Sequence, residues 1–405
     1  MTETAIPTFP LSRAPGCPFD PPPQYATLRE SAPVSPIRLW NGQVAWLLTR
    51  YEDQRAVLTD PRFSSDVTRP GHPTQSEGVK ARRDSGNLPF LVRDDPEHNH
   101  IRRMFTGHFT VKRIAAMKPR IQQIIDDLLD TMEAAGPPAD LVAAFALPMP
   151  SLVISELLGV PHQDHGLFQR AARTLVTLDS TAEQSKAAAD ELASYLSDLI
   201  ADKERRPADD LLSTLIEERV RTGELDRAQL VENAILLLAA GHETTANMTA
   251  LGTLALLHHP DQLAVVRDSD DPARVATAVE ELLRYLTITH SGRRRVAVED
   301  VEVAGTLIRA GEGVVLANDA ANRDATVFTD PDRLDIDRPE VRRHIAFGHG
   351  THQCLGQNLA RVELQLAYPA LLRRFPGLRT TVPDDQLRFK EDMLVYGVHE
   401  LPVTW

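Results

Sequence analysis

Residues able to do chemistry are most concentrated near the C-terminal end, in Phe347-Gly-His-Gly-Thr-His-Gln-Cys354-Leu-Gly356 and the Gln-Asn-Leu-Ala-Arg361 that follows. Glycines at 348, 350 and 356 let the backbone turn tightly and come close to a flat ligand. Leu355, Leu359, Val362 and Leu366 then recur at helical spacing, which predicts an amphipathic helix with Cys354 at its N-terminus. Unpaired N–H groups and the positive dipole end there lower a thiol pKa, and the thiolate is the form that ligates a metal. A buried cysteine is usually inert. The pattern Phe-x-x-Gly-x-His-x-Cys-x-Gly, however, arises by chance in roughly one window in ten million.

A second constellation, Ala240-Gly241-His242-Glu243-Thr244-Thr245, interrupts an apolar stretch. A carboxyl and hydroxyls in such a place are unfavourable unless paired or used. Threonine can bond back to the carbonyl four residues earlier and open the helix, so Gly-x-x-Thr predicts a local pocket for a small ligand. His242-Glu243 begins a zinc-type His-Glu-x-x-His, but the fifth residue is Ala246, which cannot ligate, and metal-assisted hydrolysis loses its support. Glu281 and Arg284 share a helical face at i and i+3, a spacing that by itself usually makes a solvated ion pair. His98 and Arg102 share another at i and i+4, just after Pro96.

Positioning these groups needs long elements. From about Asp226 to His259 there is no proline, and 1.5 Å per residue gives a helix of roughly 50 Å. Its middle is apolar nearly all round, which predicts a buried helix crossing the molecule with Glu243-Thr244 half-way along. Further helices are predicted over Tyr51–Thr59, His98–Ala135, Ser151–Gly159 and Ala182–Arg206. Asn41-Gly42 between two β-prone runs predicts a hairpin with both residues at positive φ. Strand signals return over Val296–Val315 and Phe389–Val403. Residues 1–23, with prolines at 7, 10, 15, 18 and 21 to 23, read as an extended arm, and 24–405 as a single domain without repeats or linkers.

Of the 405 residues 42% are hydrophobic and 25% charged, the balance of a globular enzyme. A net charge of -13 argues against a general nucleic-acid partner. Two cysteines, Cys17 and Cys354, allow no disulfide framework, and a reducing, cytoplasmic setting is expected. No secretory leader and no apolar run of membrane-span length is read.

Taken in this order the motifs resemble the cytochromes P-450, nearest to the soluble actinomycete group, from Pro61-Arg-Phe-Ser-Ser to the C-terminal ELPVTW. The resemblance implies a mainly α fold with a smaller β portion, and one haem b (iron protoporphyrin IX) between the long helix and the cysteine loop. By it Cys354 ligates the iron, while Phe347, Gly348, Gly356, Ala240 and Gly241 line the cofactor. Thr244 hydrogen-bonds the dioxygen being activated, and Glu243 helps deliver protons through water. His98, Arg102, Arg295 and His352 resemble the clamp for the two propionates. Glu281 and Arg284 lock the fold to either Arg333 or Arg338. Phe90, Leu91, Val92, Leu237, Ala240, Ile288 and Val395 line a pocket for a hydrophobic substrate. Two departures stand out: position 352 is His where many members have Arg, and Asp95 stands where Pro is common, the latter with little expected consequence.

The implied reaction inserts one atom of O2 into a natural product or xenobiotic and releases the other as water. Electrons would come from a ferredoxin and its NAD(P)H-dependent reductase, docking on Arg102, Arg103, Lys112, Arg113, Arg342 and Arg343. A monomer with no nucleic-acid or membrane partner is expected. A haem-based sensor would have no use for the Glu243-Thr244 pair, and a peroxide-using haem-thiolate enzyme no need of Thr244.

Overall fold

A computed structural model describes residues 6–14, 16–86 and 88–405, so the first five residues of the arm and its Pro15 lie outside the described residues. The long helix spans Arg227–His258. Asp226 starts it, its carboxylate accepting the Gln229 N–H at 2.7 Å, and Pro260 opens the next helix after His259. Helices Pro148–Leu158, His165–Val176, Ala182–Arg205 and Gln357–Arg374 pack around it and enclose one continuous apolar core.

Tyr51–Thr59 forms as expected, but the helix predicted over His98–Ala135 is two, Glu97–Thr106 and Val111–Ala135. Gly107–Phe109 makes a 3₁₀ turn between them, and the Thr110 side chain accepts the Arg113 N–H as a fresh N-cap. The apolar phase runs through the break, which hides it from periodicity alone.

A five-stranded sheet flanks the helices in the order Val34–Arg38, Val44–Leu48, Gly313–Leu316, Arg293–Ala297, Phe63–Ser64. The hairpin pairs Val34 with Leu48. Only Gly42 takes a positive φ, 83°, because Trp40-Asn41-Gly42 form a three-residue loop closed by Leu39 N–H to the Gln43 carbonyl. Strand alternation places Arg293 and Arg295 on one face and Arg294 on the other. The strand expected over Phe389–Val403 is confined to a Phe389–Val398 bridge and a short strand at Pro402–Thr404. The turn between them is pressed on the long helix: a Cβ at Gly397 would meet Asn247 Oδ1 at 2.0 Å.

Candidate active site

The Cys354 N–H donates to the Phe347 carbonyl at 2.9 Å and closes the loop. Gly348 and Gly350 take φ of 77° and 70°, where a Cβ would run into the Arg293 guanidinium and the Leu58 carbonyl respectively. Gly356 has an ordinary φ of -82° and its missing Cβ faces open space. The helix begins at Gln357, so Cys354 precedes the first turn instead of standing in it. Burial pushes its thiol up, against Arg293, the Gly356 N–H, Arg102 and Arg361, which draw it down. The lowering expected from a helix N-terminus is therefore overridden by desolvation of the charged form.

His98, Arg102, Arg293 and Arg295 approach this loop, which carries His352 itself. His98 and His352 stack with ring centroids 3.9 Å apart. His98 Nε2, His352 Nδ1 and Arg293 Nε are buried without a hydrogen-bond partner. Burial, with Arg295 and its neighbours, holds the His352 pKa at about 3. Arg295 is buried, with a pKa pulled to about 10 by burial and by Arg293. Arg102 donates to the Gln353 carbonyl at 2.6 Å, which takes it out of the surface patch proposed for a redox partner. Asp95 Oδ1 lies 3.3 Å from His98 Nδ1, but burial of the ring lowers the His98 pKa and the Asp95 contact only partly opposes this, so the neutral ring is favoured.

Along the long helix, most of whose residues are buried, Glu232, Leu236, Ala240 and Thr244 recur at i+4 as a stripe of partly or fully exposed residues, joined by Ala239 and Gly241. Thr244 Oγ1 donates to the Ala240 carbonyl at 2.6 Å, the expected back-bond, yet the helix stays α through this point and does not open. The accessible space comes instead from the small side chain of Ala240. At Gly241 a Cβ would come within 3.1 Å of Ile154, so a glycine here lets the two helices pack closely. Glu243 is buried, and its Oε2 lies 3.2 Å from Lys390 Nζ.

The sequence pattern of the family Cytochrome P450 matches residues 154–270 and 275–399. The chain belongs to that family. It is 54% identical over 399 residues to Cytochrome P450-SU2 of Streptomyces griseolus, covering 98% of this chain and 97% of the relative. The crystal structure of GfsF, 49% identical, superposes with a TM-score of 0.91 over 98% of this chain and all of that one. The mycinamicin VIII C21 methyl hydroxylase MycCI of Micromonospora griseorubida, solved with mycinamicin VIII bound, is 40% identical, with a TM-score of 0.92 over 99% and 100% of the two chains. The chain is thus a cytochrome P450 monooxygenase, an oxidoreductase whose cofactor is haem b. The residues present fit that group. Arg102, Arg293 and Arg295 form no ion pair among the described residues, and the partnerless nitrogens of His98, His352 and Arg293, when they carry a proton, can donate to two carboxylates.

Arg338, and not Arg333, completes the lock on the P450 Glu-x-x-Arg motif. Glu281 and Arg284 are fully buried and doubly bonded at 2.7 and 2.8 Å, and Arg338 Nε lies 3.2 Å from both Glu281 oxygens. Arg333 offers only its carbonyl, to both arginines. Of the substrate candidates, Leu237, Ile288 and Val395 are buried apolar side chains, and the Tyr396 N–H joins the Ile288 and Val395 segments by donating to the Ile288 carbonyl at 2.8 Å. Phe90 is committed to the core, tilted against Phe105 and His98, while Leu91 is 40% exposed and Val92 half-buried. Asn233 was not foreseen. Its Oδ1 accepts the Phe90 N–H at 3.0 Å and ties the 90–92 segment to the long helix. Nor were Lys390, Arg293, or the Glu280–His344–Arg361 cluster behind the cysteine loop, whose signals are single charged residues with no fixed spacing.

Proposed function

We propose that this P450 hydroxylates a hydrophobic organic molecule, a natural product or xenobiotic, with Cys354 as the iron ligand and electrons drawn from a ferredoxin and its NAD(P)H-dependent reductase. The observation that carries the reading is Thr244, held at 2.6 Å on the Ala240 carbonyl where the buried helix becomes accessible. MycCI, a C21 methyl hydroxylase whose fold this chain shares, was solved with mycinamicin VIII bound, which supports hydroxylation of an organic molecule.

Bound haem would supply dioxygen activation and ligate to the Cys354 thiolate. The chain's own groups do the rest. His98, Arg102, Arg295 and His352 would hold the propionates, with Arg293 beside them. The Thr244 hydroxyl, donating to Ala240, keeps lone pairs that accept from water, and Glu243 in the next position moves protons toward it. Leu237, Ala240, Ile288 and Val395 present apolar surface to the substrate. Residues 24–405 would act as one catalytic domain, with 1–23 as an arm, in a cytoplasmic monomer. Among the described residues no helix is long and apolar enough to cross a membrane.

Thr244→Ala tests the reading. With ferredoxin and reductase in excess, it should bind haem, carbon monoxide and substrate normally, yet give roughly tenfold less product and more hydrogen peroxide per NADPH. Unchanged coupling would place the proton route elsewhere. A wild type that forms no product across a broad hydrophobic panel would favour a sensor.

A further inference from the structure

Glu243 Oε2 lies 3.2 Å from Lys390 Nζ and 3.4 Å from Asn247 Nδ2, and the two charged side chains are only 2% and 5% exposed. Such a buried pair is a poor source of stability, since desolvation of both charges offsets most of their attraction and packed apolar side chains do as well. The helix on the N-terminal side of the pair is built of Ile, Leu and Ala, so an apolar alternative is near at hand. The position of the pair gives another reason to keep it. Thr244, the next residue, faces the accessible stretch of the helix, and a carboxylate engaged by an ammonium accepts hydrogen bonds but has no proton to give. A proton must reach Glu243 from water, and its hold on Lys390 must loosen as it does. His242, adjacent, has both ring nitrogens buried without a hydrogen-bond partner, and burial holds its pKa down. These nitrogens would offer bonds to a water entering there.

Lys390 comes from a separate element. Its N–H donates to the Gly397 carbonyl at 2.8 Å within the 389–398 turn, and Gly397 is pressed against Asn247. The same turn carries Val395 and is bonded through Tyr396 to Ile288. A molecule packed on Val395 and Ile288 therefore bears on the turn that holds the counter-ion of the acid.

Resting on the monooxygenase reading above, we infer that Lys390 is the positioning residue for Glu243, and that the 389–398 turn makes proton supply to Thr244 respond to substrate occupancy. In each transfer one proton leaves the Glu243 carboxyl through water toward the Thr244 hydroxyl. A proton from bulk water then reprotonates the carboxylate, while Lys390 keeps its charge and no electrons move.

The test uses the holoenzyme with Lys390→Met and Lys390→Arg, after checking haem content and the carbon monoxide spectrum. Product and peroxide per NADPH are measured together with the solvent deuterium isotope effect. Lys390→Met should lower coupled product about tenfold and change the isotope effect, and Lys390→Arg, which keeps the charge, should restore most of the coupling. Because a lone buried carboxylate can unfold the first variant, Glu243→Gln/Lys390→Met is made beside Glu243→Gln; the second substitution should add no further loss. Val395→Ala should uncouple the wild type several-fold more than it uncouples Lys390→Met. Wild-type coupling and isotope effect in Lys390→Met, or equal Lys390→Met losses with and without Glu243, would overturn the positioning role. Equal effects of Val395→Ala in both backgrounds would overturn the link to substrate. Uncoupling in Thr244→Ala beside normal coupling in Lys390→Met removes this inference alone, whereas normal coupling in Thr244→Ala removes the Thr244 proton route on which it rests.

Discussion

Arg295 and Arg102 approach the cysteine loop from a strand and a helix, and neither meets a carboxylate within ion-pair distance among the described residues. Each is thus available to a propionate, and a hydrogen bond to a charged group contributes about 1.5 to 3 kcal/mol. Arg295→Ala and Arg102→Ala should each release haem roughly 10- to 100-fold faster. Transfer of haem to an acceptor apoprotein under mild denaturant measures this directly. Wild-type retention in both variants would remove them from the clamp.

Behind the loop, Glu280 joins three elements. Its Oε2 lies 2.9 Å from His344 Nε2, and Arg361 donates to both its oxygens at 2.6 and 2.9 Å while lying 4.5 Å over the Phe347 ring. Helix Pro272–Leu286, the loop before the cysteine and helix Gln357–Arg374 are fastened at this one carboxylate. Burial raises the Glu280 pKa, but the bonds from His344 and Arg361 outweigh it and bring the value from 4.5 to about 2. A carboxyl depressed in the folded state stabilises above its unfolded pKa and loses that contribution as pH falls through the folded one. The window here is about pH 4.5 down to 2. Glu280→Gln should lower stability by about 2 to 3 kcal/mol near neutrality, a difference that shrinks toward zero at about pH 2. Denaturant midpoints across that range check both the size and the sign.

Over the whole molecule the net charge is -13, yet Arg103, Lys112 and Arg342 are exposed and form no ion pair among the described residues. Arg113 is already engaged by Asp209 at 3.3 Å, and Arg343 lies 3.9 Å from Glu52. An acidic ferredoxin steered to the first three should reduce the haem more slowly as ionic strength rises, since exposed charges are screened beyond about 10 Å at 0.1 M salt. Lys112→Glu/Arg342→Glu should slow the first electron transfer about tenfold at low salt, with haem content and substrate affinity unchanged. Stopped-flow reduction at several salt concentrations tests it, and a rate indifferent to salt and to both substitutions would move the docking face elsewhere.

The cysteine loop, the Glu243-Thr244 pair, the long helix and the Glu-x-x-Arg motif were legible because each depends on neighbours in the chain: spacing, a cap, an apolar period. Their reading singled out Cys354 and Thr244 and placed the long helix within a residue of each end. What depended on contacts between distant segments was decided only in three dimensions. Arg338 prevails over Arg333 because its guanidinium, and not merely its carbonyl, reaches Glu281 across 57 positions. Gly241 serves packing because Ile154 comes up against it. The Cys354 thiol is pushed up because the folded chain excludes water from it more strongly than nearby positive charge compensates. Lys390 finds Glu243 from 147 residues away. Local periodicity carries no information about such pairings, since a buried charge chooses its partner by where the backbone brings it.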